Sequence, residues 1–114
     1  MQMTEKEVKR LLLKWRAEKR LLRVVIETLN KGITSALLGK VSELTPDTFT
    51  VRQDERTFIT VDLSEVNIWQ YTATGDLKDR SREWAAKGIE GCLLAVGEGG
   101  IWSCSIFEMK RYPF

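Results

Sequence analysis

The sequence predicts a mainly β protein with an amphipathic helix near its N-terminus. The chain has 114 residues, a length that suits one small domain. Residues 23–71 contain short segments rich in β-branched or alternating apolar residues, separated by polar turns. The segment before them, residues 4–15, instead carries apolar residues at spacings of three and four, which is typical of a helix.

The composition argues against several classes of protein. Hydrophobic residues make up 43% of the chain and charged residues 30%, which suits a folded domain and not a disordered or membrane protein. The chain has no histidine, which removes Ser-His-Asp and Cys-His catalysis and every histidine-containing metal site. Two cysteines cannot build a structural zinc site alone. We therefore expect no enzymatic activity and no cofactor.

The early apolar segments indicate a cytoplasmic protein. The longest of them, Leu11–Leu13, is far too short for the core of a secretory signal. No stretch of the sequence approaches the length of a membrane span. Two cysteines without an export signal are typical of a reducing compartment.

Charge is distributed unevenly along the chain. Residues 1–31 contain nine cationic and four anionic residues, a net charge of +5, and the other 83 residues carry a net charge of −3. A basic segment on a mildly acidic body suggests an anionic partner, with nucleic acid the usual candidate and a membrane surface second. A solvated helix face with extra lysines remains an equal alternative.

The predicted N-terminal helix has a clear start signal. Thr4 and Glu7 have the spacing of a capping box, and Met3 and Val8 that of a hydrophobic staple. The apolar stripe comprises Val8, Leu11, Leu12 and Trp15. A heptad pattern through Val8, Trp15, Leu22 and Leu29 leaves open the alternative of one long helix over residues 4–30, as in a coiled coil.

Five strands are predicted after this helix. They cover residues 23–29, Ile33–Leu44, Thr48–Arg52, Thr57–Asp62 and Val66–Tyr71. Gly32 is expected to adopt a positive φ in the first turn, and Gly39 to permit a sharp bend. Short strands with hairpin links close most economically into a small barrel, which removes exposed edges and wraps one core.

Residues 72–114 are predicted to form a helix and a β-hairpin packed on the domain of residues 1–71. The helix runs from Asp76 to about Lys87, and the hairpin turns at residues 97–100. Cys92 and Cys104 are expected nearly opposite each other, as small buried hydrophobes or, less readily, as a disulfide. The tryptophans expected to act as core or interface anchors are Trp69, Trp84 and Trp102.

Several motifs follow one another in residues 15–71. They are Arg16-Ala17-Glu18-Lys19-Arg20, Leu37-x-Gly39-x-Val41-x-x-Leu44, Asp47-x-Phe49-x-Val51 and Phe58-Ile59-Thr60-Val61. In this order they resemble the Sm/LSm family, most closely its Hfq branch. The resemblance implies a five-stranded Sm-like barrel and a homo-oligomeric ring of six or seven subunits. In such rings the fourth strand of one subunit pairs with the fifth strand of the next.

The resemblance also implies single-stranded RNA binding without catalysis. Phe49 stands where the family has a base-stacking aromatic, and Thr48 beside it belongs to the same expected site. Arg16, Lys19 and Arg20 stand where Hfq has its arginine-rich rim, and their spacing suits one side of a helix that meets phosphates.

Two other functions stay open at this point. The Lys-His pair that Hfq places before its last strand is absent, and the nearest positions are Leu63 and Ser64. Together with the unmatched C-terminal third, this motivates a small-barrel scaffold or protein-interaction module that does not bind RNA. An enzyme that uses carboxylates is the weakest alternative, because no convergent acid pair is visible.

Overall fold

A computed structural model describes residues 1–77 and 81–110 of the chain. Within these ranges it contains α-helices α1 (Glu5–Ala17) and α2 (Ser81–Ala86) and eight β-strands. The strands are β1 (Gln2–Met3), β2 (Leu21–Thr28), β3 (Gly32–Leu44), β4 (Thr48–Arg52), β5 (Phe58–Asp62), β6 (Val66–Ala73), β7 (Ile89–Gly97) and β8 (Trp102–Met109). No helix in the described ranges is long and apolar enough to cross a membrane.

Helix α1 begins as the sequence predicts. The Thr4 hydroxyl accepts a hydrogen bond from the Glu7 amide, and the Glu7 carboxylate accepts one from the Thr4 amide, which completes the capping box. The helix ends at Ala17, so the alternative of one helix over residues 4–30 is wrong. Beyond Arg20 the β-branched residues favour a strand, and β2 pairs on both sides.

All strands belong to one open antiparallel sheet with the order β1-β6-β7-β8-β2-β3-β4-β5. The five strands predicted between residues 23 and 71 are present as β2 to β6. The expected five-stranded barrel is not confirmed, because β7 and β8 lie between β6 and β2. Both strands carry mainly apolar residues that are buried or half-buried, so they gain more from central positions than from an edge.

The position of β7 and β8 changes the role expected for the C-terminal third. The predicted division between residues 71 and 72 falls inside β6, and the later hairpin forms the middle of the same sheet. Of the helix predicted from Asp76 to about Lys87, the structure shows α2 over Ser81–Ala86. The predicted start is wrong, because Asp76 ends a separate 3-10 turn and Leu77 after it is extended; residues 78–80 lie outside the described ranges. Trp84 on α2 meets Phe107 on β8 edge to face, with ring centroids 5.7 Å apart.

Strand β3 changes partner at Gly39. It pairs with β2 up to this residue and with β4 from Lys40 onward. A Cβ atom at Gly39 would collide with the Arg52 carbonyl oxygen. This close approach of two backbones explains why a residue without a side chain is needed there.

The sheet wraps around one hydrophobic core. The Phe49 and Trp69 rings lie 6.4 Å apart, although four strands separate β4 from β6 in the sheet order. Helix α1 adds Val8, Leu12 and Trp15, all at most 1% exposed. The burial of Trp69 confirms its predicted place in the core.

The two cysteines lie on opposite faces of the β7–β8 hairpin. Cys92 pairs with Phe107, and Cys104 pairs with Ala95, so the two thiols are three positions out of register. Both are free and buried. The prediction that they face each other is therefore wrong, and the prediction that they act as small buried hydrophobes is confirmed.

Candidate nucleic-acid interface

A basic cleft of about 360 Å³ opens where α1 meets one end of the sheet. It is lined by Glu18, Lys19, Arg20, Leu21, Lys40, Met109 and Lys110. Four of these side chains are cationic and one is anionic. The cleft therefore brings together cations from the α1–β2 connection, β3 and the end of β8. Such a surface favours an anionic ligand.

Lys19 occupies a position that usually belongs to glycine. Its φ is +52°, the only positive φ of a non-glycine residue in the described ranges. The Lys19 amide donates to the Arg16 carbonyl at 3.2 Å, and the Arg20 amide donates to the Trp15 carbonyl at 2.9 Å. These two bonds form a Schellman motif, in which glycine is favoured at the left-handed residue. A lysine at this position therefore makes the fold less stable than a glycine would.

Arg20, which lines the cleft, is held by two carboxylates. Its Nη2 atom lies 2.7 Å from Glu90 Oε2, and its Nε atom lies 3.3 Å from Glu108 Oε2. Glu108 also accepts a hydrogen bond from the Tyr71 hydroxyl. Burial and the Glu108 carboxylate raise the pKa of Tyr71. Arg20 thus links α1 to β7 and β8, and its predicted contact with phosphate stays a prediction.

Gly91 makes this network possible. A Cβ atom there would collide with the Tyr71 hydroxyl, which crosses above β7 to reach Glu108 on β8. The missing side chain opens that path. The polar network consequently depends on a glycine in the middle of a strand.

The structure contradicts the predicted stacking role of Phe49. Its side chain is 1% exposed and packs against Trp69, so neither face of the ring is open to a base. Thr48 is half-buried, and its hydroxyl bonds to the Thr45 hydroxyl at 2.7 Å. Neither residue lines the basic cleft. Phe49 and Val51 of the Asp-x-Phe-x-Val pattern are both buried residues of β4 and line no ligand site in the described ranges.

Arg16 and Lys19 are exposed at the end of α1, as a binding role requires. Neither forms a salt bridge with another residue in the described part of the chain. Cations near a helix C-terminus also stabilise the helix dipole. Their exposure is therefore compatible both with binding to an anionic partner and with a solvated helix face that binds nothing.

Sequence reasoning missed Lys40 and Lys110. Both are exposed and free of salt bridges within residues 1–77 and 81–110, and each lies at the cleft. Lys40 stands between inward-facing residues of β3, and Lys110 follows β8 directly. Alternation in β3 could have placed Lys40 outside, but only the sheet order brings both lysines beside Lys19.

The described residues offer little for covalent or metal chemistry. Burial raises the pKa of Cys92 to about 11 and that of Cys104 to about 12, so both thiols are protonated at neutral pH. No group of three or more His, Cys, Asp or Glu side chains in these ranges could hold a metal ion. Reversible binding of an anion is what the cleft can do best.

Comparison with protein-family models, curated proteins and solved structures finds no match to this chain.

Proposed function

We propose that the protein binds single-stranded RNA without catalysis, through the basic cleft. The convergence of Lys19, Lys40 and Lys110 carries this proposal. None of the three ammonium groups has a carboxylate partner among the described residues, so phosphate oxygens can take that place. Arg16, three positions before Lys19 on α1, extends the basic surface along the helix.

The residues of the cleft limit how far binding can depend on the RNA base sequence. Lysine ammonium groups neutralise phosphates and carry no base information. The buried Phe49 ring removes the expected stacking platform. We therefore expect binding that depends strongly on salt and weakly on base sequence.

Self-association is the second part of the proposal, as the Sm-like resemblance suggests. The fourth predicted strand, β5, has a partner only on its β4 side within the described sheet. The outer edge of β6 is paired to β1 at Gln70 and Trp69. One free edge and one partly covered edge support pairing between subunits in a ring of six or seven.

Fluorescence anisotropy with a labelled single-stranded RNA tests the RNA contact. With about three phosphates neutralised, affinity should fall about 20-fold between about 50 and 200 mM salt. The double variant Lys40→Gln, Lys110→Gln should bind about tenfold more weakly. It should fold normally, because both side chains are exposed and make no salt bridge with another described residue.

Lys31→Gln provides the matched control. Lys31 is equally exposed, but it lies in the β2–β3 turn, at the opposite end of β2 from the cleft. Its loss should change affinity less than twofold. Equal losses in both variants would contradict the cleft as the site.

A scaffold or protein-interaction module is the competing function. Three large aliphatic side chains, Leu29, Ile33 and Ile101, are 62% to 74% exposed, which favours a protein contact. An anisotropy of the labelled RNA that does not change with protein concentration at low salt would favour this alternative.

A further inference from the structure

Two hairpin tips form an exposed apolar patch at the end of the sheet away from the basic cleft. The Leu29 amide donates to the Ile101 carbonyl at 2.8 Å, which joins the β2–β3 and β7–β8 turns. Leu29, Ile33 and Ile101 are 74%, 65% and 62% exposed. We call these three residues the tip patch. Exposed aliphatic side chains at adjoining turns are typical of an interaction surface.

An acidic cleft adjoins the tip patch. It encloses about 490 Å³ and is lined by Ser64, Glu65, Val66, Asn67, Glu98, Ile101 and Trp102. Glu65 and Glu98 form no salt bridge with any residue in the described ranges. Lys31 in the β2–β3 turn forms no salt bridge with a described residue. The tip end thus combines apolar contact area with unpaired negative charge.

The outer face of α1 has the opposite character. Lys6, Arg10 and Leu13 follow one another at spacings of four and three, which places them on one side of the helix. Leu13 is 57% exposed, and both cations are exposed. Their side chains form no salt bridge with another described residue. Two cations therefore precede an exposed leucine on this side of the helix, and one of them, Arg10, also attracts the Glu7 carboxylate within α1.

The two surfaces of one molecule cannot meet each other. Val8, Leu12 and Trp15 occupy the opposite side of α1 and are buried in the core. The outer face consequently points away from the sheet, whereas the tip patch is part of the sheet. Any contact between the surfaces requires two molecules.

We propose that the tip patch of one copy docks on the outer face of α1 in a second copy. Leu13 packs among the three aliphatic tips, and Lys6 and Arg10 approach Glu65 and Glu98 in the acidic cleft. Both the apolar area and the charges are then complementary. This inference rests on the self-association proposed above and not on RNA binding.

The proposed contact is heterologous, because it joins two different surfaces. It closes into a ring or continues as a filament, depending on the rotation between copies. The contact is separable from edge pairing, since none of its residues belongs to β5. It also shares no residue with the basic cleft, whose lining begins at Glu18, five positions after Leu13.

Charge reversal tests the contact by sedimentation velocity at increasing protein concentration. The tip variant Glu65→Lys, Glu98→Lys and the helix variant Lys6→Glu, Arg10→Glu should each weaken self-association about 100-fold. An equimolar mixture should associate again, because each reversed surface then meets one of opposite charge. The quadruple variant should also recover association.

Two controls separate charge at the contact from general effects. Asp47→Lys, Glu55→Lys changes the net charge as much as the tip variant does, but at exposed residues of the β3–β4 and β4–β5 loops, and should leave association within twofold. Thr60→Pro removes an amide from the β5 edge and should not affect the proposed contact.

The outcomes distinguish this inference from the function it rests on. Association that is lost with Thr60→Pro but kept in both charge variants would overturn the inference and leave edge pairing standing. Failure of the mixture to associate would also overturn it. A wild-type protein that stays monomeric at millimolar concentration would overturn both the inference and self-association, while anisotropy decides RNA binding separately.

Discussion

The two ends of the sheet differ in how their charged side chains are partnered. At the basic end, Arg20 is held between Glu90 and Glu108, and Tyr71 completes the network, while the three lysines of the cleft have no ion pair with described residues. At the tip end, Glu65 and Glu98 have no ion pair with described residues, and aliphatic side chains stand in solvent. Removing one partner of a partly buried, hydrogen-bonded charge pair destabilises the fold, whereas unpaired charges remain available to a partner. The difference separates side chains that build the fold from those that can bind.

Removing one carboxylate at each end of the sheet should give the largest difference in the free energy of unfolding. Glu108→Ala should lower the free energy of unfolding by about 2 kcal/mol, because the Tyr71 hydroxyl and one side of Arg20 lose their partner. Glu98→Ala should change it by less than about 0.5 kcal/mol, since the side chain is exposed. Urea unfolding measures both values. Similar losses in the two variants would remove the distinction between the ends.

Substitutions at two residues with positive φ should change the free energy of unfolding in opposite directions. Lys19→Gly should raise the free energy of unfolding by about 1 kcal/mol, because glycine adopts the φ of +52° without strain. It should also weaken RNA binding by removing one cation. Gly32→Ala at the tip end has open space but a φ of +69°, so it should lower stability by about 1 kcal/mol. Lower stability in Lys19→Gly would show that lysine is kept there for the fold.

The smallest expected effect concerns alkaline pH at the basic end. The pKa of Tyr71 is raised above its usual value of 10.0 in the folded protein. The folded state therefore favours the protonated phenol, and this contribution is complete below pH 10 and lost as pH rises above it. Unfolding free energies of Tyr71→Phe should fall less steeply above pH 10 than those of the wild type. Parallel curves would mean that the hydroxyl titrates as it does in the unfolded chain.

Local signals in the sequence were sufficient for most individual elements. The capping box at Thr4 and Glu7 predicted the start of α1, and the β-branched residues of β2 predicted where the helix gives way. The positive φ expected for Gly32 is present. Each of these depends on residues within a few positions of one another, so short-range rules suffice.

The same rules failed where pairing is distant in the sequence. A hairpin pattern alone does not say whether β7 and β8 cover the sheet or enter it, because both placements bury the same residues. Phe49 was predicted to stack on a base, yet its ring lies in the core beside Trp69. The prediction failed because the sequence pattern does not show which face of a strand is turned toward the core. The curvature of the whole sheet decides this.

The sequence by itself determined the helix start, the strands, the absence of histidine and the basic N-terminal segment. The tertiary structure decided which cations are free. It placed Lys40 and Lys110 beside Lys19, turned Arg20 toward two carboxylates, and brought three aliphatic residues together at the tips. The physical reason is that sheet order, a property of long-range pairing, sets which side chains become neighbours. Local propensity carries no information about that order.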